Sequence, residues 1–187
     1  MRRFLPLLVL IFLQACGAVT APQPLTKAER ARLEASRLDL SLGVGEHHAS
    51  WSREDLVAAL GETRLFRRVA RLEAFAEPPD LVAAVQVFGN PDNKLPFVTF
   101  LTLGLVPTVA KGRDGVRVTL TAPTTKRALE VVIDQRDLII IGWVGTAMLG
   151  SQEWVRAGSY NGRMFDRIAS ELAARAEAIE TLPIVLR

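Results

Sequence analysis

Leu38-Asp39-Leu40-Ser41-Leu42-Gly43-Val44 places an apolar or small side chain at every second position. A period of two predicts a half-buried strand, because successive side chains point to opposite faces. The stretch Trp51-Ser52-Arg53-Glu54-Asp55-Leu56 follows it. Ser52 is placed to cap a helix, with Asp55 three residues on and Trp51 positioned to staple against Leu56. Leu56 and Leu60 share one helical face, and Gly61 is the expected stop.

Phe66, Val69 and Leu72 open an extended segment that Pro78-Pro79 punctuates. Leu81 to Phe88 reads as a buried strand, ended by the turn signal Gly89-Asn90-Pro91-Asp92-Asn93. Gly112-Arg113-Asp114-Gly115 is expected to turn the chain. Val116, Val118 and Leu120 alternate, as do Leu129, Val131 and Ile133, with Pro123 to Arg127 between them. These two runs predict an antiparallel pair. Asn161 to Glu180 carries Phe165, Ile168, Leu172 and Ile179 near one face and predicts a closing amphipathic helix. The expected fold class is α+β: a small antiparallel or mixed sheet with helices packed on one face.

Composition bounds the function. The chain has 187 residues, 49% hydrophobic and 23% charged, which suits a packed globular core. One cysteine excludes an internal disulfide, and two histidines leave little for a Cys/His zinc site. His47 and His48 are adjacent, so on a strand they face opposite ways and do not chelate one metal. Gly43-Val44-Gly45 lacks the third glycine of a dinucleotide loop and reads as a turn. No HExxH, CxxC, Walker or Gly-x-Ser-x-Gly pattern is present. Asp80, Asp114, Asp134 and Asp137 fall at expected turns and strand edges. No cofactor and no metal is expected, and the chain is read as non-catalytic.

The first residues carry the clearest signal. Arg2 and Arg3 precede the apolar run Phe4 to Leu13. That run is too short to span a hydrocarbon core of about 30 Å, which takes roughly 20 helical residues. It suits a secretory signal peptide. Leu13-Gln14-Ala15-Cys16 then resembles the lipobox of bacterial lipoproteins, with Gln14 in a place where a smaller residue is usual. The resemblance implies cleavage before Cys16, acylation of Cys16, and anchoring by two or more acyl chains, where one alone is marginal. Gly17 in place of the aspartate that favours inner-membrane retention implies the outer membrane, on its periplasmic face. The expected organisation is a signal peptide over 1–15, a lipidated cysteine and tether over 16–37, and one α+β periplasmic domain over 38–187. Ala18 to Leu25, with Pro22 and Pro24, reads as tether. Lys27 to Arg37 reads as a solvated helix or its continuation.

Loss of residues 1–15 removes Arg2 and Arg3 and no acid, so the net charge falls from +3 to +1. No basic patch interleaved with aromatics is visible, so no nucleic-acid partner is expected.

Two apolar segments stand out. One runs from Phe97 to Val109 with Gly104 and Pro107 inside, and the other from Leu138 to Leu149 with Gly142 and Gly145. Neither reaches spanning length. They read either as buried core or as contact surfaces for a membrane or partner. On the second reading Phe97, Phe100, Leu103, Leu105, Ile140, Trp143 and Met148 are the contact residues.

A second resemblance covers Leu56 to Phe88. Ala58-Ala59-Leu60-Gly61 leads to Leu65-Phe66-Arg67-Arg68-Val69, and a strand opens at Pro79-Asp80-Leu81. This is similar to a pattern in periplasmic envelope assembly and transport accessory lipoproteins: a helix, a Phe-x-x-Val segment, then a strand after an aspartate. It implies a small α/β subdomain that binds other proteins, and it identifies no active site. The expectation is a non-catalytic binding or accessory module for an envelope protein. A lipid- or glycan-binding module and a small envelope hydrolase are the alternatives.

Overall fold

The computed structural model describes residues 18–20, 22–49, 51–89, 108–141 and 154–184. In chain order the elements are β1 (Ala18–Thr20), α1 (Lys27–Ala35), β2 (Leu38–His48), α2 (Arg53–Glu62), β3 (Phe66–Arg71) and a single 3-10 turn (Leu72–Ala74). They continue with β4 (Leu81–Gly89), β5 (Thr108–Thr121), β6 (Ala128–Ile141), β7 (Trp154–Arg156), α3 (Ala157–Ala173) and α4 (Ala176–Glu180). The fold is α+β with a mixed sheet, as the alternating runs predict. No described helix is long and apolar enough to cross a membrane.

The chain falls into two compact units. The larger holds Pro24–Phe88, Gly115–Asp134 and the chain from Gly162 onward. Its strand order is β3-β2-β4-β5-β6. β2 pairs parallel with both β3 and β4. β2, α2 and β3 therefore form a βαβ unit. β5 and β6 are neighbours joined by residues 122–127, too short a link for a parallel crossover, so they run antiparallel. In the smaller unit, β1 pairs antiparallel with β6 (Ala18 with Ile140) and with β7 (Val19 with Val155). Ala18–Thr20, read from sequence as tether, is thus paired strand.

The core of the larger unit follows the predicted faces. Leu42, Val44, Leu81, Val85, Val116, Val118, Leu120 and Val131 are buried from the sheet. Leu56 and Leu60 of α2 join Met164, Phe165, Ile168 and Leu172 of α3 and Ile179 of α4. The 3- and 4-residue spacings on α3 place those side chains on one stripe.

Four local expectations are corrected. The closing helix is not continuous over Asn161 to Glu180: it starts at Ala157 and breaks at 174–175 before α4. Gly61 does not stop α2, which runs to Glu62. The Thr63 hydroxyl donates to Leu60 O at 2.7 Å, and Arg64 takes the left-handed conformation at φ 55°. Gly112 to Gly115 does not turn the chain; it lies inside β5. A Cβ at Gly115 would collide with the Phe88 ring, so that glycine marks a close approach within a strand.

Gly43-Val44-Gly45 is the fourth. It lies inside β2. β3 and β4 flank β2 and run parallel to it, so residues 72–80 must cross over β2 to join them. That crossover is short and contains no α-helix, and it lies directly on the sheet. A Cβ at Gly43 would sit 2.9 Å from Pro79 Cγ and 3.0 Å from Leu72 Cδ1. The glycine is there to let the strap down onto the strand.

Candidate functional site

The strap is fixed by a polar anchor at its end. Ser41 lies on the same face of β2 as Gly43. Its N–H and its hydroxyl both donate to Asp80 Oδ2 at 2.7 Å, and the Asp80 N–H donates back to Ser41 Oγ at 3.0 Å. Arg67 of β3 bridges Asp80 at 3.4 Å and Asp39 at 3.1 Å. Burial pushes the Asp80 carboxyl up, but the Ser41 bonds and Arg67 outweigh it and hold it below the usual range. In the sequence Asp80 has the signature of a turn residue before a strand. Its anchoring role needs the crossover, which no local pattern announces.

Beside the strap lies an open cleft of about 310 Å³. Leu72, Phe75, Ala76, Glu77, Pro78, Pro79, Val82 and Pro123 line it. Its size is at the low end for small-molecule sites. Arg68 lies over the Phe75 ring at 4.6 Å and donates to Ala74 O at 3.2 Å, which holds the strap from its β3 side.

A second cluster forms at the far end of β2. The pairing Val44 with Ala83 and His47 with Val85 spends one extra residue on β2, a bulge. The bulge reverses the face of every side chain beyond it, so His47 turns toward the core. Its ring meets Trp51 edge-on at 4.6 Å, and Trp51 meets Phe165 of α3 edge-on at 5.1 Å. His47 Nε2 is enclosed and has no hydrogen-bond partner among the described residues. Burial lowers the His47 pKa, and the neighbouring Arg53 lowers it further. His48 is exposed, so the two histidines do face apart. The two histidines belong to β2 and not to a polar loop after it.

Among the described residues, no three His, Cys, Asp or Glu side chains gather as a metal site. Two carboxylates near the end of β3 are ion-paired. Glu73 pairs with Arg53 at 3.0 Å, and Arg71 pairs with Glu54.

The residues singled out in the sequence fall elsewhere. Cys16, Phe97, Phe100, Leu103, Leu105, Trp143 and Met148 lie outside the described residues. Ile140 lies in β6, where its backbone pairs with Ala18.

No family model and no curated protein matches the chain. Among solved structures it is similar to a Xanthomonas campestris protein ascribed to the family model DUF330. The two share 11% identity over 87% of this chain and 93% of that one, with a TM-score of 0.35. A likeness at that level carries no argument about what either chain does.

Proposed function

We propose that the chain is an outer-membrane lipoprotein, anchored through acylated Cys16, whose periplasmic domain is a non-catalytic binding or accessory module for another envelope component. The observation that carries this is the opening sequence: Arg2-Arg3, the apolar run to Leu13, and the lipobox-like Leu13-Gln14-Ala15-Cys16. Phe97, Phe100, Leu103, Leu105, Ile140, Trp143 and Met148 are the proposed contacts with membrane or partner.

The test is fatty-acid labelling of wild type and Cys16→Ser in the native host, followed by density separation of membranes. A labelled band that sediments with outer membrane and vanishes in Cys16→Ser is the expected result. An unlabelled, freely soluble product overturns the anchor.

The apolar cleft favours a second reading, a module for an apolar ligand. Ligand binding raises stability by mass action, so lipid extract raising the melting temperature in wild type but not in Val82→Asp is the outcome that would select it.

A further inference from the structure

β3 is the last strand of the described sheet. β2 pairs with one side of it, and no described strand pairs with the other. The N–H and C=O groups that turn away from β2 therefore form an open template for another strand. Arg64, Arg67, Arg68 and Arg71 are exposed along and just before it, and no acidic residue lies between Glu62 and Glu73. The arginines serve both faces of the edge. Arg68 lies on the strap side, over Phe75, and Arg71 reaches Glu54 of α2 on the helix side. The Arg67 and Arg71 side chains are 57% and 47% exposed, so their ion pairs are open to solvent. Exposed ion pairs of this kind contribute little and exchange partners readily. Arg64 makes no ion pair with a described residue.

We propose that the β3 edge accepts an extended acidic segment of a partner protein as an added strand. The segment's backbone pairs with the outward N–H and C=O groups of Phe66–Arg71, and its carboxylates meet the four arginines. A strand is matched by the open edge, and acid is matched by cations on both of its faces. A second copy of this chain is disfavoured, because β3 against β3 sets arginines against arginines. The inference deepens the proposed role as a binding module and rests on it.

The experiment uses the full-length chain in detergent and three fluorescent decapeptides. One alternates glutamate with valine, one alternates lysine with valine, and one alternates N-methylated glutamate with proline. The last keeps the charge but has no backbone N–H left to donate to the ladder. The expected result is binding of the glutamate–valine peptide, with slowed amide exchange at 66–71. Binding should be at least tenfold weaker for glutamate–proline and undetectable for lysine–valine. Arg64→Asn with Arg68→Gln should weaken binding about tenfold, since each removes a charge-assisted contact worth roughly threefold. Lys27→Gln with Arg32→Gln, which removes equal charge from α1, should not. Equal binding of the proline peptide overturns strand addition, and so does binding without protection at 66–71. Failure of all three peptides overturns the inference while Cys16 labelling still decides the anchored role. Loss of labelling with peptide binding intact removes the anchored role and leaves the edge.

Discussion

The two faces of β2 solve one packing problem in opposite ways. On one face Leu42 and Val44 are fully buried against the helices, and shape filling holds the layer together. On the other, Gly43 and Gly45 offer no side chains at all, and the strap lies on bare backbone with Ser41 and Asp80 as its polar anchor. One face is sensitive to what is taken away, the other to what is added. The distinction makes neighbouring positions in sequence respond to opposite kinds of change.

The largest effect is expected from breaking that contrast at adjacent residues. Leu42→Ala should cost about 2–5 kcal/mol through lost burial and the cavity left behind. Gly43→Ala should cost about 1–3 kcal/mol through overpacking against Pro79 and Leu72. Urea unfolding measures both. The decisive comparison is Leu72→Ala added to each. It should relieve part of the Gly43→Ala penalty, leaving the Pro79 contact, and add independently to that of Leu42→Ala. Additivity in both backgrounds would refute a strap seated on Gly43.

Asp80→Ala comes next. It strands the Ser41 N–H beneath the strap, and the expected loss is about 1 kcal/mol, below the usual value for a charged hydrogen bond because the carboxylate is partly exposed. The sign of the pH dependence follows from a lowered folded pKa. The contribution is present above the ordinary carboxylate value of 3.8 and is lost as pH falls through the lower folded value. Hydrogen exchange at 72–80 should rise in the variant more than exchange in β5.

These contrasts also show what was legible. The period-two runs located β2 and the apolar parts of β5 and β6, and the apolar run Leu81 to Phe88 located β4, because burial is a local property of sequence. The Ser52 cap was equally local: its hydroxyl accepts the Asp55 N–H at 3.1 Å. The crossover was not legible. Gly43-Val44-Gly45 and Gly112 to Gly115 looked like turns, since a glycine needed for close approach by Leu72 or Phe88 has the same sequence signature as one needed for a bend. The bulge hid His47 for a related reason: one extra residue reverses the face of everything after it, and no pattern in Gly45-Glu46-His47 marks the slip. Of the contact residues chosen from the apolar segments, only the backbone of Ile140 is described.

His47 is the polar exception on the helix face, and removing it sharpens the contrast. His47→Phe keeps an edge-on ring against Trp51 and deletes an enclosed nitrogen without a partner. At pH 7.5 the variant should melt roughly 2–4 °C higher, the equivalent of about 1 kcal/mol for a chain of this size. A second signature is the pH profile. His47 has its folded pKa below 6.5, so the unfolded chain takes up the proton first. Its contribution is complete above about pH 6.5 and is lost as pH falls below that toward the folded value. Arg53, Glu54 and His48 are the charged or titratable neighbours that set the size of the loss. Wild type should lose stability between pH 7 and 5, and His47→Phe should lose less. Identical profiles would show that the ring is solvated in the native state.

The smallest effect belongs to α1, which attaches to the helix layer without burying a side chain. Its Glu29 carboxylate accepts the Thr26 N–H at 2.7 Å, closing a capping box, and also the Arg167 guanidinium of α3 at 2.6 Å. One group therefore caps the helix and docks it. The Thr26 hydrogen bonds, with Arg167 adding to them against a smaller burial effect, hold the Glu29 pKa at about 2. The lowered value makes its contribution complete above about pH 4.5 and lost as pH falls through about 2. A helix this short is marginal in water by itself, so undocking and melting are one event. Glu29→Gln should speed amide exchange across Lys27–Ala35 severalfold and leave the global urea midpoint almost unchanged. Raising the salt concentration should do the same to wild type and little more to the variant. A drop in the global midpoint as large as that of Leu42→Ala would place α1 within the cooperative core and erase the distinction between layers held by shape and layers held by charge.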